Sequence, residues 1–165
     1  MQIIPMLLKE LEYEVQVSRK MLALVPADKF DWKPHPKSTS MKNLAIHIAE
    51  LPSWITLGLN TTELDFATSP YEPSPVTNTG EILDLLEKSM ESGKDSLTKA
   101  KEEDLLPSWT LRNGEQVYAV MAKHELMRHS LNQITHHRAQ LGVYLRILDI
   151  PIPGSYGPSA DDMNF

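Results

Sequence analysis

Four long stretches of this chain repeat apolar residues at intervals of three and four, and proline-bearing segments separate them. That interval puts an apolar stripe on one side of an α-helix, whereas a half-buried strand needs strict alternation. The first helix is expected over residues 3–25, with Ile4, Leu8, Leu11, Val15, Leu22 and Val25 as its stripe and Pro26 as its stop. Ser18 falls inside this stripe, where a small residue lets a second helix approach closely. A connector with Pro26, Pro34 and Pro36 leads to a second helix over about 40–58. Ser38 or Ser40 caps it, because a hydroxyl accepts the orphan N–H groups of the first turn. Pro52 is expected to kink this helix by removing a hydrogen bond. Residues 60–79 show little periodicity, and a connection of that length is usually functional or mobile. The third helix is expected over about 79–103, capped by Thr79, with Ile82, Leu86, Met90 and Leu97 inward and Gly93 as a weak point. The segment 104–114 holds Pro107, Trp109 and the turn signal Arg112-Asn113-Gly114. The longest helix follows over about 115–149, with Val120, Met127, Leu131, Ile134, Leu141 and Leu145 as its stripe, and Pro151 and Pro153 stop it. No alternating strand pattern competes. The expected fold is therefore all-α: a four-helix bundle with a long loop between the second and third helices, in one domain spanning 1–165.

Composition narrows the chemistry. The chain has no cysteine, which removes disulfides, a thiolate metal site and a thiol nucleophile. Any metal must be held by His, Asp, Glu, Gln or water. The formal net charge is −6 with no block of Lys or Arg, which argues against a nucleic-acid partner, since binding to phosphates needs clustered positive charge. No apolar run approaches the roughly 20 residues that span a bilayer, and Lys9, Glu10, Glu12 and Glu14 interrupt any signal-peptide core. A cytoplasmic protein without a membrane partner is the expectation.

The residues that can carry chemistry lie on two helices. On the last, Ser130, Gln133, Ile134, His137, Leu141 and Tyr144 share one face, and residues four apart stand one turn above another. On the second, His47 lies in the apolar stripe of Leu44, Ile48, Leu51 and Ile55. Gln133 and His137 can thus converge on one atom, with His47 closing the site from across the bundle. Three protein ligands with an open position is the arrangement of a catalytic metal. A buried His47 also fits a hydrogen-bonded core histidine, so spacing alone leaves both readings open. His136 sits on a more polar flank with Asn132, Gln133 and Gln140, His129 is one turn before Gln133, and His124 and His35 show no partner pattern.

The run Asn132-Gln133-Ile134-Thr135-His136-His137-Arg138-Ala139-Gln140-Leu141 resembles the last helix of DinB-like (damage-inducible B) proteins, whose pattern there is Asn-His-x-x-His-His-Arg-(Gly/Ala)-Gln-Leu. The continuation from Asp149 to Asp161 resembles one branch of that family, and the run from Ser40 to Glu50 is similar to its second helix. Tyr144 and Arg146 also fit the pattern. The resemblance extends over most of the chain, with a specific C-terminal motif and a generic first helix. It implies an up-down-down-up four-helix bundle, a homodimer, and a site for a divalent ion such as nickel, zinc, manganese or iron. The family's three histidine ligands fall on His47, Gln133 and His137.

Gln133 departs from the pattern, since it stands where the family has a histidine. A glutamine carbonyl can ligate, but it is neutral and hard, a poorer match than imidazole for zinc or nickel. Lower affinity, a different metal or no metal at all follow as expectations. The resemblance implies a metal-dependent hydrolase or a thiol transferase acting on a small-molecule substrate. The competing reading is a non-catalytic ligand-binding or interaction protein with a degenerate metal site. Fold likeness alone does not choose the reaction.

Overall fold

The computed structural model describes residues 2–163, so positions 1, 164 and 165 of the expected domain lie outside the described residues. The protein is mostly helical. Its helices are α1 (Ile3–Leu22), α2 (Met41–Glu50), α3 (Trp54–Asn60), α4 (Thr79–Lys99) and α5 (Lys123–Ile147). Helices α1, α2, α4 and α5 pack around one core that includes Leu7, Leu11, Val15, Leu44, Ile48, Ile82, Leu86, Met127, Leu131, Ile134 and Leu141. The expectation of an all-α chain is corrected by a three-stranded sheet of β1 (Glu63–Asp65), β2 (Ser108–Asn113) and β3 (Gln116–Ala122).

The sheet takes residues 116–122 from the expected last helix, which begins at Lys123 instead of about 115. β2 and β3 pair antiparallel, with Trp109 opposite Met121 and Thr110 opposite Val120. Their turn uses Gly114 at φ +58°, a left-handed conformation that glycine adopts without a Cβ penalty. β1 adds parallel to β2, and the Asp65 carboxylate accepts from the Gly114 and Ala67 N–H groups at 2.8 and 2.9 Å. Trp109 is fully buried, and its indole N–H donates to Thr61 Oγ1 at 2.9 Å. Val120, expected in the helical stripe, instead stands 64% exposed on β3. α5 starts only where Glu125 reaches back to accept from the Ala122 N–H at 2.7 Å.

The helix boundaries shift for local reasons. α1 ends at Leu22, three residues short of Val25, and its buried stripe is centred on Leu7, Leu11, Val15, Ser18 and Leu22 rather than on Ile4 and Leu8. Ser40 caps α2 by accepting from the Asn43 N–H at 3.2 Å. The α4 cap is Asn78, not Thr79, whose hydroxyl donates to the Val25 carbonyl.

Pro52 does more than kink the single helix expected over about 40–58: a 3-10 turn, Leu51–Ser53, divides it into α2 and α3. Two contacts hold this break against its neighbours. The Ser130 hydroxyl of α5 donates to the Leu51 carbonyl at 2.7 Å, in the buried interior. Gly93 of α4 lies so close that a Cβ there would stand 2.5 Å from the Pro52 carbonyl oxygen, so this glycine serves a close approach. The break is therefore clamped between α4 and α5, which fixes α2 relative to α5. Among the described residues, no helix is long and apolar enough to cross a membrane.

Candidate functional site

α2 brings His47, and α5 brings Gln133 and His137, to one pocket of about 470 Å³. His129, Asn132 and His136 complete its lining. The His47 and His137 rings meet edge to face, with centroids 4.7 Å apart and planes at 73°. His136 stands exposed beside them, its ring centroid 4.9 Å from that of His137. The structure thus brings the three expected residues together and adds two more imidazoles at the rim.

The hydrogen bonds assign roles to the nitrogens. His137 Nδ1 lies 2.8 Å from Gln140 Oε1. An amide oxygen only accepts, so Nδ1 carries the proton and Nε2 carries the lone pair. An acceptor bound to the nitrogen turned away from the cation orients a ligating histidine. The sequence places Gln140 only on the polar flank of His136, although its i, i+3 spacing from His137 also points to this bond. The Gln133 amide nitrogen lies 3.1 Å from His129 Nε2. The amide N–H is the donor in that pair, which leaves Oε1 as the atom Gln133 can offer a cation.

Charge favours neutral imidazoles here. Burial pushes His47 below the ordinary 6.5, and the proximity of His137 adds to this, with Glu50 opposing. Burial also lowers His137, helped by His136 and opposed by the bond to Gln140. Both rings are therefore lone-pair donors at neutral pH rather than cations.

Three other expected members do different work. Ser130 is committed to the α2–α3 break, as above. Tyr144 is buried, lies edge-on to Trp32 at 5.6 Å, and donates to the Thr39 carbonyl at 3.3 Å, so it packs the interior. Arg146 pairs with Asp161. Glu50, one turn beyond His47, accepts from Tyr71 and Ser74 of the long loop. Burial and the bond to Glu50 push the Tyr71 phenol well above its ordinary 10, so it remains a donor.

Among the described residues, no three His, Asp or Glu side chains are gathered for a metal ion. The pocket offers two neutral imidazoles and one amide oxygen. That set fits a borderline divalent ion at reduced affinity. A pocket of similar size, about 480 Å³, lies elsewhere, around Lys123, Asp95 and Asp104. Its buried Lys123 ammonium already caps α3 by donating to the Leu59 carbonyl at 2.8 Å.

Comparison with known proteins agrees with this architecture. A model of the DinB family matches residues 2–164. A DinB-like protein from Bacillus subtilis superposes with a TM-score of 0.69 at 16% identity, covering 91% of this chain and 97% of that one. A DinB-like protein from Bacillus cereus superposes with a TM-score of 0.67 at 20% identity, covering 90% of this chain and 94% of that one. At such identities the likeness speaks for the fold alone. No curated protein matches the chain.

Proposed function

The chain belongs to the DinB family, and we propose that it is a divalent-metal-binding member in which His47, His137 and the Gln133 carbonyl hold the ion. The observation that carries this reading is the pair of facing imidazoles, 4.7 Å apart, with His137 Nδ1 held by Gln140. The bundle in this reading has the up-down-down-up order, and the clamped α2–α3 break keeps His47 at a fixed distance from α5.

The ion supplies Lewis acidity toward a small-molecule substrate, for hydrolysis or for thiol transfer. The chain's own residues do the rest. His47 and His137 stay neutral near pH 7 and keep their lone pairs for binding. Gln140 holds His137 in one tautomer. Asn132, His129 and His136 form a polar rim that orients a small polar molecule entering the pocket. Glu50 is engaged by the long loop and is not free to act as a base. A cytoplasmic homodimer belongs to the same reading; sedimentation as a monomer at working concentration would remove the dimer.

One observation favours a second reading, a non-catalytic ligand-binding protein. Gln133 occupies the place of an imidazole and spends its amide nitrogen on His129. Calorimetric titration with zinc and with nickel separates the two. The first reading expects one ion per chain in the native protein and none in His47→Ala or His137→Ala. The second expects no uptake by the native chain.

A further inference from the structure

The loop between β1 and α4 supplies none of the pocket's lining, yet it packs against His47, which does line it. Glu50 accepts three hydrogen bonds from it: from Tyr71 Oη at 2.8 Å, from the Ser74 N–H at 3.2 Å and from Ser74 Oγ at 2.5 Å. One carboxylate on α2 therefore ties down two loop residues by charge-assisted bonds. The tie places the Tyr71 ring edge-on to His47, with centroids 6.4 Å apart and planes at 80°. Tyr71 is 53% exposed, so burial alone does not hold it there. On the other side of the pocket the lining comes from α5: His129, Asn132, Gln133 and His136.

We propose that Tyr71, tethered by Glu50, is a positioning residue that walls the His47 side of the pocket and confines ligand entry to the α5 side. This deepens the reading of the pocket as a ligand site. It implies that an incoming ligand crosses an amide and imidazole rim before it meets His47, which selects small polar molecules over bulky apolar ones. The loop has a definite role in this arrangement: it shields one histidine of the pair and leaves the other to the rim.

The test is run on the full chain without metal, so that its failure is distinct from a failure to bind metal. Carbethoxylation by diethyl pyrocarbonate is followed at each histidine by peptide mass mapping, in the native protein, Tyr71→Ala, Tyr71→Phe and Glu50→Gln. His47 is expected to react about tenfold or more faster in Tyr71→Ala, which removes the ring, and in Glu50→Gln, which weakens all three bonds to the loop. Tyr71→Phe, which keeps the ring and loses the tether, is expected to fall between these and the native protein. His35 and His124, on other parts of the fold, are expected to keep their native rates. An unchanged His47 rate in Tyr71→Ala overturns the wall. A native rate in Glu50→Gln overturns the tether. A rise shared by His35 and His124 means general loosening and overturns both.

Discussion

His137 and Arg138 are neighbours on α5, yet they face two clusters of opposite character. Arg138 is 3% exposed and faces α1, where its guanidinium donates to Glu14 Oε2 at 2.5 Å, and to the Glu14 carbonyl and Ser18 Oγ at 3.3 Å each. Tyr156, from the C-terminal segment, donates to the other Glu14 oxygen, packs tilted against Tyr13 with ring centroids 5.7 Å apart, and its ring lies 5.7 Å from the guanidinium. Every partner in this cluster is supplied by the chain itself. His137 faces α2 and an open pocket, and among the described residues only one of its two ring nitrogens meets a hydrogen-bond partner. The contrast separates two uses of buried polarity. A charge sealed in an interface must be fully paired, because its desolvation is costly. An imidazole with an unanswered lone pair in a cavity is set up to receive something else.

The largest effect is expected where the sealed cluster is broken. Arg138→Ala leaves the Glu14 carboxylate buried without its partner and is expected to cost about 3–5 kcal/mol in urea unfolding. His47→Ala and His137→Ala are expected to behave in the opposite way. Each lowers zinc or nickel affinity by more than about 100-fold, beyond what loss of a residue that only orients a ligand does, while changing unfolding free energy by less than about 1 kcal/mol. The comparison breaks if these alanines unfold the protein as readily as Arg138→Ala does.

Gln133→His sharpens the pocket side. It restores an imidazole at a position one turn from His137 and is expected to raise zinc or nickel affinity by roughly tenfold or more, read by competition with a chromophoric chelator. A flat affinity would place Gln133 outside the ligand set. The smallest effect is that of pH. His47 and His137 both titrate below the ordinary 6.5 in the folded chain, so between the folded and unfolded values the unfolded state binds more protons. Their contribution to stability is complete above about 6.5 and is lost as pH falls through the folded values. Metal occupancy falls in the same direction, because protons compete for the same lone pairs. Thermal unfolding from pH 7.5 down to pH 5, with and without zinc, reads both, and a midpoint that rises on acidification would contradict the sign.

Much of this was legible in the sequence where a period carried it. The stripes of α4 and α5 placed Ile82, Leu86, Leu97, Met127, Leu131, Ile134 and Leu141 in the interior, where they are found. Ser18, read as a small residue for close helix approach, is fully buried beside Arg138. The sheet was missed because β3 exposes Val117, Tyr118 and Val120 together, which gives no apolar–polar alternation. The Asn113-Gly114 turn between two β-prone runs was the signal available. In the pocket, the meeting of His47 with His137 followed from two helix faces and the family resemblance. Gln140 was within reach of the same spacing argument. Tyr71 and Glu50 were not, because their bond joins a helix to an aperiodic loop 21 residues away.

The most direct measurement of the central claim is anomalous diffraction at the zinc or nickel edge from crystals grown with the ion. The account predicts one strong peak per chain, about 2.0–2.2 Å from Nε2 of His137 and from a ring nitrogen of His47, with Gln133 Oε1 as the third protein atom in range. A peak at the Lys123 pocket, or no peak at His47 and His137 with the ion present in excess, would contradict it.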